Sequence, residues 1–297
     1  MYLAHFHMTE KPFSLTPDTQ FFLNDSSHRD ALRTLRFALQ DGEGFIKIVG
    51  EVGTGKTLLC RILLAQLDKT RFATAYIPNP CLSPEELKAF LAAEIGADYQ
   101  HTMPAHELTA AIYRRLLQIA RQGKQVVLVV DEAQAMPRET LEALRLLSNL
   151  ETEKRKLLQV VLLGQPELDE MLQRQDLRQL KQRIVFAENL RPFDTQGVSA
   201  YLQHRLRASG CPRQDLFGPM AIWLLARASG GIPRLINILA HKSLLCAYGR
   251  RDQSIAGWHL VKAVRDTPEC TASGRFWCRM WGLNGRVFLP RSAEVAP

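Results

Sequence analysis

Nowhere does this chain carry an uninterrupted apolar run of about eighteen residues, so no segment reads as a membrane-spanning helix. Its first residues, MYLAHFHMTEKPF, lack the basic start and apolar run of a secretory signal peptide, and a cytoplasmic chain is expected. The six cysteines, Cys60, Cys81, Cys211, Cys246, Cys270 and Cys278, never form a CxxC pair. That excludes the common zinc and dithiol spacings, and the apolar neighbours of several of them predict reduced, buried thiols. There is no internal repeat and no low-complexity segment, which excludes a repeat architecture. No Asn-Lys-x-Asp element is present, which argues against a guanine-reading site. Charge of one sign dominates no segment: the net charge of +8 is spread through stretches that also hold acidic residues. It reads first as a solvated face, with nucleic acid or an anionic membrane surface as second-ranked partners.

What is present is ordinary in bulk and specific in detail. A hydrophobic content of 46% with 23% charged residues over 297 positions suits one large or two modest domains with a buried core. Residues 1–26 are rich in aromatics, proline and turn formers and predict an ordered, irregular arm. A helix is expected near 27–40, with Ala31, Leu32, Leu35, Ala38 and Leu39 on one face and Arg29, Arg33 and Arg36 on another. Five strand-like segments follow, at 44–50, 71–77, 125–131, 157–164 and 183–190, each separated by helical or loop sequence. Runs such as VVLVV, apolar on both faces, predict a parallel sheet covered by helices on each side. From residue 192 the pattern turns all-helical, with helices expected at 195–209, 216–229, 233–248 and 254–265. The expected organisation is an arm at 1–26, an α/β domain at 27–191, a small helical domain at 192–267 and a tail at 268–297.

The stretch GEVGTGKT, Gly50, Glu51, Val52, Gly53, Thr54, Gly55, Lys56 and Thr57, fits GxxxxGK[ST] and lies between an apolar strand and the helix that Leu58 continues. Glycines let backbone N–H groups turn inward around phosphates, and the helix N-terminus adds partial positive charge. Lys56 then reaches the β- and γ-phosphates, and Thr57 offers a hydroxyl to Mg²⁺. The acidic half of such a site is expected from VVLVVDEAQ. Asp131 is placed to hold Mg²⁺, and Glu132 to orient and deprotonate the attacking water. The strand at 71–77 lies between the grip and this acidic strand, as in ATPases whose base ends the third strand; ATP with Mg²⁺ is the expected ligand. In LLQVVLLGQPEL, Gln165 follows an apolar strand expected beside the acidic one, where its amide could sense the γ-phosphate or position water. Arg183, before the last strand, is the candidate for an arginine presented to a neighbouring subunit's nucleotide, with Arg178 as runner-up. Arg234, in GGIPRLIN, opens a helix of the small domain and is the candidate to reach the phosphates in cis.

With these elements in this order the chain resembles an AAA+ ATPase, and more closely the general secretion pathway protein A (ExeA/GspA) family, in particular its short MshM-type members of MSHA pilus biogenesis. The resemblance covers roughly residues 1–265. It includes MYLAHFHMTEKPFSLTPDTQFF, HRDAL, NPCLSPEEL, DEAQAMPRETLEALRLLSNLET and GQPELDEMLQRQDLRQLKQRI. It implies an α/β P-loop NTPase with a five-stranded parallel sheet flanked by helices and a small all-helical lid. It further implies a cytoplasmic ATPase that forms a homo-oligomeric ring or filament. Its partner would be an inner-membrane assembly factor of a type II secretion system or a type IV pilus. It also implies that the arm around Phe13 to Phe22, with His28, packs near the adenine. Longer members continue into a transmembrane helix and a peptidoglycan-binding domain; their absence before Pro297 favours the short pilus-type role.

The tail SGRFWCRMWGLNGRVFLPR, if helical, gathers Phe276, Trp277, Met280, Trp281 and Leu283 on one face and sets Arg275 and Arg279 on the other. That arrangement suits peripheral membrane contact or a partner's groove, or packing back onto the small domain. DNA-associated AAA+ proteins form the runner-up reading, for which Arg29, Arg33 and Arg36 would serve phosphates. An ATP-gated scaffold of slow hydrolysis is a further alternative.

Overall fold

The computed structural model describes residues 2–100, 103–152 and 155–284, the last four by backbone alone. Two compact units result, one formed by Asn24–Arg191 and the other by the arm through Leu23 together with the chain from Pro192 onward. The arm begins with one helical turn, α1 (Tyr2–His5). The α/β unit then runs α2 (Ser26–Asp41), β1 (Phe45–Gly50), α3 (Lys56–Gln66), β2 (Phe72–Ile77), α4 (Pro84–Ile95), α5 (Ala105–Arg121), β3 (Gln125–Val130), α6 (Arg138–Leu147), β4 (Leu158–Gly164), α7 (Pro166–Leu172), α8 (Arg178–Lys181) and β5 (Ile184–Leu190). The helical unit continues with α9 (Thr195–Ala208), α10 (Pro219–Ser229), α11 (Pro233–Arg250), α12 (Gly257–Arg265) and α13 (Ala272–Asn284).

All five expected strands form, each within one residue of its expected bounds, and they pair in parallel in the order β2-β3-β4-β1-β5. Burial follows from that order. Central β4 is buried along its whole length and β3 from Val126 onward, which is why their sequences are continuous apolar runs rather than alternating ones. Edge strand β5 alternates, with Val185 standing out to solvent. Helix α2 covers this end of the sheet. Its apolar stripe is buried, and its Thr34 hydroxyl donates to Glu188 of β5 at 2.7 Å. Arg29, Arg33 and Arg36 face solvent, as their spacing predicts. At the far side Ser83 and Glu86 close a reciprocal capping box that fixes the start of α4.

In the helical unit the arm supplies core rather than cover. Tyr2, Phe6, Met8 and Phe13 are buried among α9, α10, α11 and α12 residues such as Leu202, Leu224, Leu239 and Leu260. Buried Arg205 of α9 bonds the carbonyls of Pro12 and Ser14 and stacks its guanidinium 4.5 Å from the Phe21 ring centre. At the Gly230-Gly231 turn the backbone must pass close to Phe193, whose N–H donates to Gly231 at 2.9 Å. Gly231 has φ +76°, and an added Cβ would fall 1.9 Å from the Phe193 carbonyl oxygen, so only glycine fits.

Two expected helices start three residues late, at Pro219 and Gly257, because Phe217 and Ile255 pair as a short parallel bridge. The tail is helical to Asn284 and docks on its own unit through buried Cys278 and an edge-on contact of Trp277 with Trp223 at 5.3 Å. Phe276 and Met280 remain exposed. The side chains of Trp281 and Leu283 lie outside the described residues. Among the described residues no helix is long and apolar enough to cross a membrane. All six cysteines are free thiols, but the expectation of uniform burial is corrected for Cys81, which is exposed in the loop before α4, and for half-buried Cys246.

Candidate active site

Three adjacent parallel strands, β1, β4 and β3, end side by side, and each is followed at once by a candidate residue. Gly50 ends β1, Gln165 follows β4, and Asp131 with Glu132 follow β3. Along the chain β2 separates the grip from the acidic strand, but in the sheet the strand between them is β4, with β2 at the edge. Loops at the C-terminal ends of parallel strands are where such sheets bind ligands.

The loop from Gly50 to Thr57 turns through two left-handed glycines, Gly53 at φ +83° and Gly55 at φ +99°, before α3 begins at Lys56. Its outer turn, Glu51 and Val52, is exposed, whereas Thr54 and Lys56 are buried. The Thr54 hydroxyl donates to the Glu51 carbonyl at 2.8 Å and closes the turn. Lys56 Nζ donates to the carbonyls of Gly50 at 2.7 Å and Glu51 at 3.1 Å, so the ammonium sits inside the loop it serves. Burial lowers its pKa, and the carboxylates of Glu132, Asp131, Glu51 and Glu167 oppose that fall. Leu58 follows Thr57 in the first turn of α3, half-buried.

The Thr57 hydroxyl donates to Asp131 Oδ2 at 2.8 Å, joining the phosphate loop to the acidic strand. Tyr76, on neighbouring β2, donates to the same oxygen at 3.3 Å, and burial together with the Asp131 charge raises its phenol pKa. Asp131 Oδ1 accepts the backbone N–H of Glu132 at 2.9 Å. Glu132 itself is held at φ +51°, ψ +39°, an unfavourable conformation for a residue with a Cβ. Its Oε2 accepts from Gln134 Nε2 at 2.6 Å and from Gln165 Nε2 at 2.8 Å. Burial works to raise the Glu132 pKa, but these two amides and the Lys56 charge outweigh it and hold the carboxyl below the usual glutamate range. Gln134 closes the circuit, because its Oε1 accepts the backbone N–H of Gln165 at 2.9 Å.

The α/β unit thus brings together Gly50, Lys56, Thr57, Asp131, Glu132 and Gln165. It does not bring Arg183 or Arg178 to them. Arg183 precedes β5, whose Ile184 pairs with Phe45 at the start of β1, five residues before Gly50. Its Nη1 donates to Ser148 Oγ at 3.2 Å. Arg178 is exposed on α8, and Arg234 is the second residue of α11 in the helical unit. Gln134 and Tyr76 were not singled out from the sequence; Gln134 was readable as the last residue of DEAQ, whereas Tyr76 became a site residue only through strand pairing. Among the described residues no group of three or more His, Cys, Asp or Glu side chains could hold a metal ion by themselves.

These features have counterparts. Residues 39–172 match the family model described as an AAA domain. General secretion pathway protein A of Aeromonas hydrophila is 45% identical over 273 residues, which cover 90% of this chain and 49% of that protein. The chain therefore spans about half the length of that relative. Among solved structures, the Aeropyrum pernix ORC2 protein, determined as ADPNP-ADP complexes, aligns with a TM-score of 0.62 at 16% identity, covering 88% of this chain and 74% of that one. The Thermotoga maritima RuvB Holliday junction branch migration motor aligns with a TM-score of 0.55 at 16% identity, covering 86% and 72%. The chain belongs to the AAA+ P-loop NTPases, as a homologue of general secretion pathway protein A over 90% of its length.

Proposed function

We propose that the chain hydrolyses ATP as a homo-oligomer and that this turnover serves assembly of an envelope-spanning apparatus. The observation that carries the reading is the Glu132 carboxylate, kept ionised by two amides, next to the Asp131–Thr57 pair at the mouth of the phosphate loop. Glu132 accepts the proton of the attacking water, and Gln165 orients it. Among the described residues Lys56 has no counter-carboxylate within ion-pair distance, and it gives its protons to two loop carbonyls, which leaves its charge available to the β- and γ-phosphates. A hydroxyl and a carboxylate form an oxygen-only donor pair, the kind that suits Mg²⁺. Thr57 and Asp131 would hold the ion, which when bound neutralises charge on the β- and γ-phosphates. Arg183 acts on a neighbouring subunit's nucleotide, with Arg178 as the alternative, and Arg234 contributes from the helical unit.

The similarity to general secretion pathway protein A supports a type II secretion setting, and the resemblance to shorter pilus-biogenesis members supports an MSHA-type IV pilus as the finer assignment. In either setting the chain works at the cytoplasmic face of the inner membrane, with an assembly factor there as partner. Exposed Phe276 and Met280 on α13, beside Arg275 and Arg279, support peripheral contact with that membrane or partner. The test is steady-state ATPase activity against protein concentration for wild type, Glu132→Gln and Arg183→Ala, with and without double-stranded DNA. Specific activity should rise with concentration, fall in both variants and ignore DNA. Activity that is flat with concentration and strongly stimulated by DNA would overturn the assembly reading in favour of a DNA-associated ATPase.

A further inference from the structure

His28, in the first turn of α2, is 4% exposed and lies against the phosphate loop, with both ring nitrogens engaged. Nδ1 is bonded to Oδ1 of Asp25, the N-cap residue of the same helix. Nε2 lies 2.9 Å from the carbonyl oxygen of Thr54. A carbonyl only accepts, so Nε2 carries a hydrogen. An ionised carboxylate only accepts, so Nδ1 carries one too. Asp25 fits that state: although burial works upward, the hydrogen bond and charge of His28 hold its carboxyl below the usual range. The ring that satisfies both contacts is the imidazolium.

From this geometry we infer that protonated His28 is a positioning residue for nucleotide phosphates, acting through the Thr54–Gly55 peptide. This inference rests on the nucleotide-site reading above and deepens it. In a trans peptide the C=O and the following N–H point in opposite directions. A Thr54 carbonyl drawn toward His28 therefore turns the Gly55 N–H the other way, as a donor to the phosphates that such loops cradle with backbone N–H groups. The left-handed φ of +99° at Gly55 is the conformation this peptide needs, and an added Cβ there would lie 3.1 Å from His28 Nε2. Asp25 faces the ring from the N-cap of α2, and from the loop side the Thr54 carbonyl and Gly55 face it, with Glu51 and Lys56 the titratable residues of that segment. Loss of one ring proton as pH rises must break one of the two contacts. Phosphate binding should weaken in that direction.

The test is ADP binding by calorimetry across about pH 6 to about pH 9, with Mg²⁺ present. Wild type, His28→Ala, His28→Gln and Lys56→Ala are compared, and thermal melts confirm folding. Wild-type affinity should fall with rising pH by about tenfold more than that of His28→Gln, the order of a lost charge-assisted hydrogen bond. His28→Gln, whose neutral amide can still donate to Thr54, should bind more tightly than His28→Ala and show a flatter pH profile than wild type. The inference is overturned if both His28 variants bind like wild type or keep its pH profile while Lys56→Ala loses binding. If His28→Ala does not fold, a wild-type profile in His28→Gln overturns it equally. A wild type that binds no ADP at any pH would instead sink the nucleotide-site reading, and the inference with it.

Discussion

Gln134 offers the most discriminating perturbation of the catalytic geometry, because its amide touches the candidate base and the residue beside it but not the phosphate loop. Gln134→Ala removes the 2.6 Å bond to Glu132 and leaves the Gln165 N–H, bonded at 2.9 Å in the native site, without its acceptor. A hydrogen bond to an ionised group contributes about 1.5–3 kcal/mol, and a stranded buried N–H costs about 1–3 kcal/mol. If about 2 kcal/mol of this orientation is expressed in the transition state, kcat falls roughly 30-fold. KM for ATP should stay within about twofold, since the lost contacts are not made to substrate. The pH dependence carries the sign. The amides help hold the Glu132 carboxyl low, so removing one raises its pKa, and the acid limb of kcat moves to higher pH. By linkage, a carboxylate lowered on folding stabilises the native state above its unfolded pKa, and that contribution is lost as pH falls through the folded value. The melting-temperature deficit of the variant should therefore shrink in acid. Steady-state kinetics over pH, with scanning calorimetry, reads all three effects. Wild-type turnover with an unmoved acid limb in Gln134→Ala would refute the proposed role of the Glu132 circuit.

Other expectations are more direct. Lys56→Ala should weaken nucleotide binding at least about a hundredfold by calorimetry, because its ammonium is the cation held inside the loop by the Gly50 and Glu51 carbonyls. Glu132→Gln should keep nucleotide affinity within about threefold while turnover drops at least about a hundredfold, and light scattering with ATP should show a larger oligomer than wild type. Arg183→Ala should abolish the rise of specific activity with protein concentration without weakening nucleotide binding; weaker binding in the variant would show that the side chain acts within its own subunit. Gly231→Ala, which puts a Cβ into the Phe193 carbonyl at a left-handed φ, should cost more than about 3 kcal/mol, read as a lowered melting temperature.

How much of this was legible depends on whether the information is local. The phosphate loop is a contiguous turn whose glycines and lysine act at fixed spacing, so GEVGTGKT is readable by itself. Strand existence was legible because the central strands of a parallel sheet are buried on both faces and need runs such as VVLVV. Sheet order was legible only in part. Nothing in the residues of β2 says that it takes an edge while β4 inserts between β1 and β3, since pairing is a long-range outcome. The aromatic arm was legible as ordered and irregular, and only the fold shows Tyr2, Phe6, Met8 and Phe13 in the core of the helical unit. Gln134 and the His28–Thr54 bond are missed for the same reason: each depends on a partner about thirty residues away, at a separation with no sequence rule behind it.

The position of Arg183 carries an argument for assembly that does not depend on likeness to other proteins. Strand β5 runs parallel to β1, and Ile184 pairs with Phe45 while Leu190 pairs with Gly50. A residue just before Ile184 is thus separated from the phosphate loop by the length of the strand, about 17 Å at roughly 3.3 Å per residue. Its guanidinium is also engaged with Ser148 at the end of α6, on the side of the sheet away from the nucleotide loops. An arginine so placed cannot serve its own phosphates unless the sheet comes apart, yet it can be offered to the loop end of a second copy. If Arg183 contributes to turnover at all, it does so across an interface. A mixture of Arg183→Ala with Lys56→Ala should then recover activity that neither protein has alone, because a Lys56→Ala subunit still donates its arginine to the intact loop of its neighbour. Two inactive variants that stay inactive when mixed, under conditions in which they co-assemble, would place the function of Arg183 elsewhere.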